Sequence, residues 1–434
     1  MSTRHGSAYL VAAALLVVGC TAGDDGSEEG GDGTTTDSIE AAAPNATGPS
    51  PGVTDDAVEI GVVYVDTEAL TSVGLNYDLG DYEAVYQALF DDLNADGGVN
   101  GRQVEPVFAP VDPTTVQPAE EACVQLTEDA DVFMVVGFFL TDAVICSVAT
   151  HETAVIGGEM TPERLEQAAA PWLSWLPDTD QPENVIRTLA AQGELDGRVA
   201  VYANARDEEQ VDEHVLPVLE ELGIEPVAVG LEEGDDVPSL QASTATISEA
   251  FQAADADTII LAGASAQDWP SARDEDTSYR PKLLFLDSLG LSAFATNDST
   301  TDTSILDGAL AGGGYGPNQA RFEEPEMQAC IQTLADAGVD VPAPDDVGDD
   351  PSDQPFQAAF QACPDIAVLR AWLGAAGEDL NYVTLDATID GLEISIPGDP
   401  EPRTYGPPPD ADGNPTAYLF AWDDSTETLV PVEG

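Results

Sequence analysis

The sequence predicts an α/β fold of two doubly wound, Rossmann-like lobes joined by a hinge. Three observations carry this expectation. Short unbroken apolar runs such as Val132–Val136 have the length of parallel strands buried on both faces. Amphipathic helical stretches alternate with those runs. The strand–helix–strand alternation occurs twice, within 55–175 and again within 176–288.

Each element has a local reason. Val58–Val65 is apolar enough for a strand. Asp81–Asn94 places Tyr82, Val85, Tyr86, Leu89, Phe90 and Leu93 at helical spacing, and Gly97-Gly98 stops the helix. Val104–Phe108 is the second strand and Pro118–Asp129 the next helix. Val132–Val136, a helix over Thr141–Thr150 and the short strand Ala154–Ile156 complete the first run. The second run reads as helix Pro182–Gln192, strand Arg198–Tyr202, helix Glu208–Leu222, strand Pro226–Val229, helix Ile247–Ala254 and strands Thr258–Leu261 and Leu283–Leu286. Beyond Asp302 the pattern loosens, with helices over Glu324–Ala337 and Gln354–Ala376 and strands at Leu392–Ile396 and Ala417–Trp422. We therefore expect 55–175 and a return segment 289–385 in one lobe, 176–288 in the other, and the C-terminal strands of 386–434 mostly in the second.

Charge excludes some functions. The 434 residues carry 12 Lys+Arg against 82 Asp+Glu, a formal net charge of −70, and Lys282 is the one lysine. Nucleic acid is not an expected partner, because neutralising phosphates takes clustered cations. The acid reads first as a solvated surface suited to salty surroundings, with specific cation binding as the second reading.

The N-terminus has the layout of an export signal over 1–20. Arg4 and His5 precede an apolar run from Ala8 to Val18, too short to span a bilayer comfortably. It closes on Val17-Val18-Gly19-Cys20, which resembles the bacterial lipobox. That resemblance implies cleavage before Cys20 and lipidation of its sulfur, so acyl chains rather than a helix would hold the protein to the membrane. An ordinary signal peptide with a chance cysteine is the alternative. Residues 21–54 are Gly, Ser, Thr, Asp and Glu with little to bury, the composition of a disordered tether.

Four cysteines follow Cys20: Cys123, Cys146, Cys330 and Cys363. An even count in an exported chain points to two disulfides, with three pairings possible and sequential pairing closing the shortest loops. Free buried thiols are the other reading. Without a CxxC, and with His151 and His214 far apart, no metal site is expected. His151 and His214 are not placed as catalysts, and no Gly-x-Ser-x-Gly, HExxH or phosphate-loop pattern occurs. Gly312-Gly313-Gly314 reads as a loop. No enzyme activity and no cofactor are expected.

The stretch Leu93-Asn94-Ala95-Asp96-Gly97-Gly98-Val99-Asn100-Gly101-Arg102 resembles a signature of type I periplasmic-binding proteins, in particular receptors of the branched-chain amino-acid group. The order of the later elements is similar too, over about 58–434. The resemblance implies a solute-binding protein that serves an ABC transporter permease. A sensory or scaffold lipoprotein on the same fold is the alternative, and an extracellular enzyme a distant one. In the implied topology the helices carrying Cys123 and Cys146 lie side by side, which favours Cys123–Cys146 and leaves Cys330–Cys363 to staple the later helices.

Ligands in such folds bind beyond the carboxyl ends of the strands. Four loops are therefore expected at the cleft. Gly137–Thr141 offers a helix N-terminus, where Thr141 aligns with the family's contact to a ligand carboxylate or acts as a plain N-cap. Phe138 and Phe139 are cleft walls or core. Gly157–Thr161 presents Glu159 and Thr161, with Glu159 either a solvated acid or a contact for a cationic group. Ala203–Glu208 presents Arg206, for an anionic group or a surface ion pair. In Gly263–Trp269, Gln267 stands where amino-acid receptors tend to carry an acid, which puts a simple amino-acid ligand in doubt and leaves amides and carboxylates open. Asp287 lies near the crossing back to the first lobe.

Overall fold

The computed structural model describes residues 50–72, 76–139, 142–176, 181–234, 237–263, 266–273, 279–295, 303–313, 318–347, 352–407, 413, 417–423, 425 and 428–432. The export signal, Cys20 and most of the tether lie outside the described residues, as do Leu140 and Thr141.

The first sheet holds β1 (Ala57–Val65), β2 (Gln103–Val111), β3 (Met134–Gly137), β4 (Ala154–Ile156) and β5 (Trp172–Leu173) in the order β2-β1-β3-β4-β5, all parallel. Its core is the predicted one: Val58, Ile60 and Val62 of β1 and Val135 and Val136 of β3 are fully buried. β5 went unread because two residues give no period.

The second sheet contains β6 (Val199–Asn204), β7 (Ala228–Glu232), β8 (Thr258–Leu261), β9 (Lys282–Phe285), β10 (Leu310–Gly313), β13 (Tyr418–Asp423) and β14 (Thr428–Pro431). Its order is β14-β13-β10-β9-β8-β6-β7, parallel from β7 to β10 and antiparallel at β13 and β14. The β7-β6-β8-β9-β10 part repeats the order of the first sheet, so each half is a doubly wound unit with helices on both faces. A separate hairpin pairs β11 (Leu392–Ile394) with β12 (Arg403–Tyr405).

Three expectations need correction. The expected return to the first lobe at 289 comes too early, because β10 runs inside the second sheet between β9 and β13. Of the expected loop Gly312-Gly313-Gly314, Gly312 and Gly313 are the end of that strand, whose glycines made it look like a break, and Gly314 lies outside the described residues. Gly312 is needed for space: a Cβ there would sit 2.4 Å from a Val185 methyl. At the C-terminus, Ile394, Ile396 and Tyr405 pack into the core of the first half, so only β13 and β14 join the second sheet. A smaller difference concerns the helix read as Ile247–Ala254, which spans Val237–Ala253. Buried Thr244 and Ser248 sit on its inward face and hide the apolar period.

The Gly-Gly-Val-Asn-Gly-Arg segment is a structural clamp. Gly98 has φ 70°, and a Cβ on it would collide with the Arg102 carbonyl oxygen at 1.8 Å. The tight turn turns Asn100 toward the C-terminus of the long helix Gln357–Ala376, where its Nδ2 donates to the carbonyls of Leu373 (2.7 Å) and Gly377 (2.9 Å). These are carbonyls that a helix end leaves without partners. Arg102 donates to the carbonyls of Thr54 and Glu378, fastening the entry of the chain to the same corner.

Cys123 and Cys146 are joined by a disulfide with Cα atoms 6.3 Å apart, and Cys330 and Cys363 by another at 6.1 Å. The first links helix Gln117–Val124 to the π-turn Cys146–Thr150. The second fastens helix Pro325–Asp336 to the long helix.

Candidate functional site

A cavity of about 510 Å³ opens at the carboxyl ends of β1, β3 and β5. Val65 ends β1, Gly137 ends β3, and Trp175 and Leu176 follow β5. Phe138 continues from Gly137 and is held by its backbone N–H, which donates to the Val63 carbonyl at 2.9 Å. The opposite wall is the amino end of the long helix, which supplies Gln357, Phe360 and Gln361, with Gln354 just before it. Asn318 and Arg321 close the site from helix Asn318–Glu323. The size suits a small solute.

Arg321 is 8% exposed, and its guanidinium carbon stands 4.7 Å over the Phe360 ring. Among the described residues lining the cavity it is the one charged side chain. The amides of Asn318, Gln354, Gln357 and Gln361 supply neutral donors and acceptors. Phe138, Tyr82, Trp175 and Phe360 supply flat apolar surface.

Behind this wall lies Asp365, fully buried on the long helix. Its Oδ1 accepts from the Trp175 indole at 2.6 Å, and its Oδ2 from the Tyr86 hydroxyl at 2.5 Å. Burial pushes its carboxyl up to about 7, against the two hydrogen bonds, which pull it down. Asp365 thus fixes the orientation of a cavity wall from the inside.

The carboxyl ends of the second sheet carry a different chemistry. Glu232 ends β7 and is 2% exposed. It accepts from Thr244 Oγ1 and from Asn204 Nδ2, while the Tyr202 hydroxyl lies 3.3 Å from Thr244 Oγ1. Asp268 lies close by; burial and then the Glu232 charge raise its carboxyl to about 6, partly opposed by Arg206.

The residues expected from sequence divide accordingly. Phe138 lines the cavity. Phe139 packs beneath Gly157 and Gly158 with the core of the first sheet. Glu159 is exposed and paired with Arg164 at 3.0 Å, and Arg164 also meets Asp142 at 2.9 Å, so the acid is committed to a surface pair. Thr161 caps helix Pro162–Gln167, its side chain accepting from the Arg164 N–H. The carbonyls of Gly157 and Gly158 are taken by Trp172 Nε1 and Ser174 Oγ, which makes this loop a scaffold for β5. Arg206 is exposed and donates to Asn204 Oδ1. Gln267 is half-buried; its buried Oε1 has no partner among the described residues. Asp287 is half-buried, two residues beyond β9. Thr141 lies outside the described residues. Arg206, Gln267 and Asp287 thus belong to the end of the second sheet, apart from the residues lining the cavity.

The cavity residues missed by sequence reading include Tyr82, Trp175, Arg321, Gln354, Gln357, Phe360 and Gln361. One signal for them was available: Gln354, Gln357 and Gln361 recur at helical spacing on one face. Arg321, one of few cations in the chain, was another.

The Cys123, Cys146 and His151 side chains form the one grouping of metal-type donors among the described residues, but both sulfurs are tied up in the disulfide.

A family model described as periplasmic binding protein matches residues 57–277. The chain belongs to this family. As a periplasmic binding protein it has a solute-binding role, and family membership implies an extracytoplasmic location. No curated protein matches the sequence. Solved structures share the fold at low identity. A substrate-binding protein from Desulfitobacterium hafniense in complex with Leu is 14% identical, with a TM-score of 0.56 over 87% of this chain and 100% of that one. A solute-binding protein from R. palustris in complex with 4-hydroxybenzoate is 15% identical, with a TM-score of 0.54 over 87% and 96%. A branched-chain amino-acid transporter substrate-binding protein from Streptococcus pneumoniae in complex with isoleucine is 15% identical, at 0.51 over 87% and 100%.

Proposed function

We propose that this periplasmic binding protein is a lipid-anchored receptor that captures a small amino-acid-like, amide or carboxylate solute and delivers it to an ABC transporter permease. The anchor is Cys20, and the expected tether ends by residue 49 and not at 54, because Gly52 and Thr54 are already fastened to the body, their carbonyls accepting from the Glu59 N–H and from Arg102 Nε. The observation that carries the reading is the cavity at the carboxyl ends of the first sheet. It combines an apolar floor with convergent amides and a buried cation at the place where doubly wound folds bind ligands. Closure of the second half over the cavity would bury the solute and create the surface a permease reads.

A thermal-shift screen over amino acids, amides and small carboxylates tests the reading. A ligand that binds only the native chain raises the midpoint, and at a hundredfold excess over Kd it adds about 2.7 kcal/mol of stability. At least one solute class should give a saturable rise. No rise with any class, confirmed by calorimetry, would remove the solute-receptor reading.

A further inference from the structure

Resting on the receptor reading, we infer that solute choice at this cavity follows pH. Asp365, Tyr86 and Gln361 form a hydrogen-bond relay, in which a proton on the buried Asp365 carboxyl reverses the polarity of the amide that Gln361 presents to the solute.

The relay is a chain of contacts with both ends at the cavity. Gln361 lines the cavity, and Asp365 lies one turn further along the same helix. The Tyr86 hydroxyl, fully buried, donates to Asp365 Oδ2 at 2.5 Å and also meets the Gln361 amide. Burial, and then the Asp365 charge, raise the Tyr86 phenol well above its ordinary value, so Tyr86 keeps its own proton. The Gln361 contact acts the other way, which marks the amide N–H as the donor in it. On the other side Asp365 Oδ1 accepts from Trp175 Nε1 at 2.6 Å, and Trp175 lines the cavity as well.

Ionised Asp365 accepts twice. Tyr86 then aims its O–H at Asp365, takes the Gln361 N–H on its oxygen, and leaves the Gln361 oxygen to the cavity. A proton on Asp365 needs an acceptor of its own. The Trp175 indole only donates, so that proton goes to the Tyr86 oxygen. The Tyr86 O–H is turned away, and the Gln361 amide is the neighbour left to accept it. A half-turn of the amide exchanges its two ends, so Gln361 offers N–H to the cavity in place of oxygen. Acceptor-bearing solutes gain below the transition and donor-bearing solutes above it. The transition is within reach: burial pushes the Asp365 carboxyl up to about 7 against its two hydrogen bonds. From the packed helix Tyr82–Ala95, the titratable groups on this side are Tyr86 and, beyond it, Tyr82, which burial pushes up to about 12. Arg321 faces the cavity from the opposite wall, over Phe360, and an arginine keeps its charge throughout.

Solute-free nuclear magnetic resonance reads the relay directly. The Trp175 indole N–H and the Gln361 side-chain amide, assigned with Trp175→Phe and Gln361→Ala, should move together with a midpoint of about 7. Both should be flat in Asp365→Asn, which separates this site from the histidines and Asp268. In Tyr86→Phe, Trp175 should still follow pH while Gln361 loses most of its shift. Calorimetry with isocaproate and isocaproamide reads the consequence. The two share a branched chain, and neither changes charge between about pH 6 and about pH 8. The carboxylate only accepts, whereas the amide also donates. The affinity ratio, carboxylate over amide, should rise about three- to tenfold on going from the upper to the lower pH, the scale of one hydrogen bond, and stay constant in Asp365→Asn. If the variants fail to fold, the wild-type resonances decide. A Trp175 resonance that does not titrate, or a Gln361 amide that stays still while Trp175 titrates, overturns the relay. Probes that bind with a pH-independent ratio overturn the inference and leave the receptor reading standing. If neither probe binds but another solute does, the resonances decide alone. Failure of every solute in the screen overturns the receptor reading and solute choice with it, whatever the resonances show.

Discussion

Asp365 offers the sharpest test of how the cavity wall is built. It is a fully buried carboxyl whose two oxygens accept from Trp175 Nε1 and the Tyr86 hydroxyl. Asp365→Leu removes both acceptors and strands two buried donors. Each stranded donor costs about 1–3 kcal/mol, so the pair costs about 2–6 kcal/mol, a large part of the 5–15 kcal/mol typical of a native protein. Asp365→Asn keeps the shape. Its amide oxygen still accepts from Trp175, but the Tyr86 hydroxyl loses its acceptor, so the variant should lose about 1–3 kcal/mol, roughly half the Leu cost.

The two variants also separate charge from hydrogen bonding through pH. The folded carboxyl is pushed up to about 7, while an exposed Asp titrates near 3.9. Between these values the folded chain holds a proton that the unfolded chain releases. Folding therefore takes up a proton, and this site makes the protein more stable as pH falls from about 7 to about 4. Below that window the contribution is constant. Asp365→Asn should flatten this part of the profile, gaining on the wild type as pH rises from about 4 to about 7 and keeping that gain above 7. Denaturant unfolding at several pH values, followed by tryptophan fluorescence with the disulfides intact, measures both effects. If Asn costs as much as Leu, or leaves the pH slope unchanged, hydrogen bonding to a proton-sharing carboxyl is not what holds Trp175.

The other expected outcomes are independent of Asp365. Cys330→Ser with Cys363→Ser opens a loop of 33 residues and should lower unfolding free energy by about 3–4 kcal/mol, read from denaturant midpoints; an unchanged midpoint would mean the bridge constrains nothing. Gly312→Val forces a side chain against Val185 and should cost at least about 1–3 kcal/mol, whereas a neutral result would remove β10 from its place in the second sheet. Cys20→Ala should release folded protein into the medium, and equal membrane retention in fractionation would sink the lipid-anchor proposal. Raising salt from low ionic strength should raise the melting temperature, since screening relieves repulsion within a chain of net charge −70; a salt-independent midpoint would contradict this.

The fold was legible where burial writes itself into the sequence. β8 appears with its bounds as read, Thr258–Leu261, because a strand covered on both faces is apolar at every position. The helix Tyr82–Ala95 was legible because one apolar stripe faces one core. β10 was not, because close packing against Val185 demanded glycine, and glycine reads as a loop. The site was less legible for a related reason. Phe138 was found because strand order locates the end of β3. Arg321 and the glutamines enter the cavity from a helix and loop more than 180 positions further along, and no local pattern states that the chain returns there.

The long helix shows why fold and site resist being read apart. At its C-terminal end Asn100 holds the carbonyls of Leu373 and Gly377, which anchors the helix to the glycine turn after helix Tyr82–Ala95. In its middle Cys363 and Asp365 fasten it to helix Pro325–Asp336 and to Trp175. At its N-terminal end Gln357, Phe360 and Gln361 line the cavity. A disturbance at Asn100 need not touch the solute to weaken its binding, because a helix that slides by one residue moves about 1.5 Å along its axis. That distance would break the 2.6 Å bond to Trp175 and displace the amides from the cavity. Asn100→Ala leaves two helix-end carbonyls without their side-chain donor, at about 0.5–1.5 kcal/mol for each hydrogen bond. It should therefore lower both the melting temperature and the affinity for the solute found in the screen, although Asn100 does not line the cavity. If affinity is unchanged while stability falls, the helix is held in register by its disulfide and by Asp365, and the glycine-turn clamp serves stability alone.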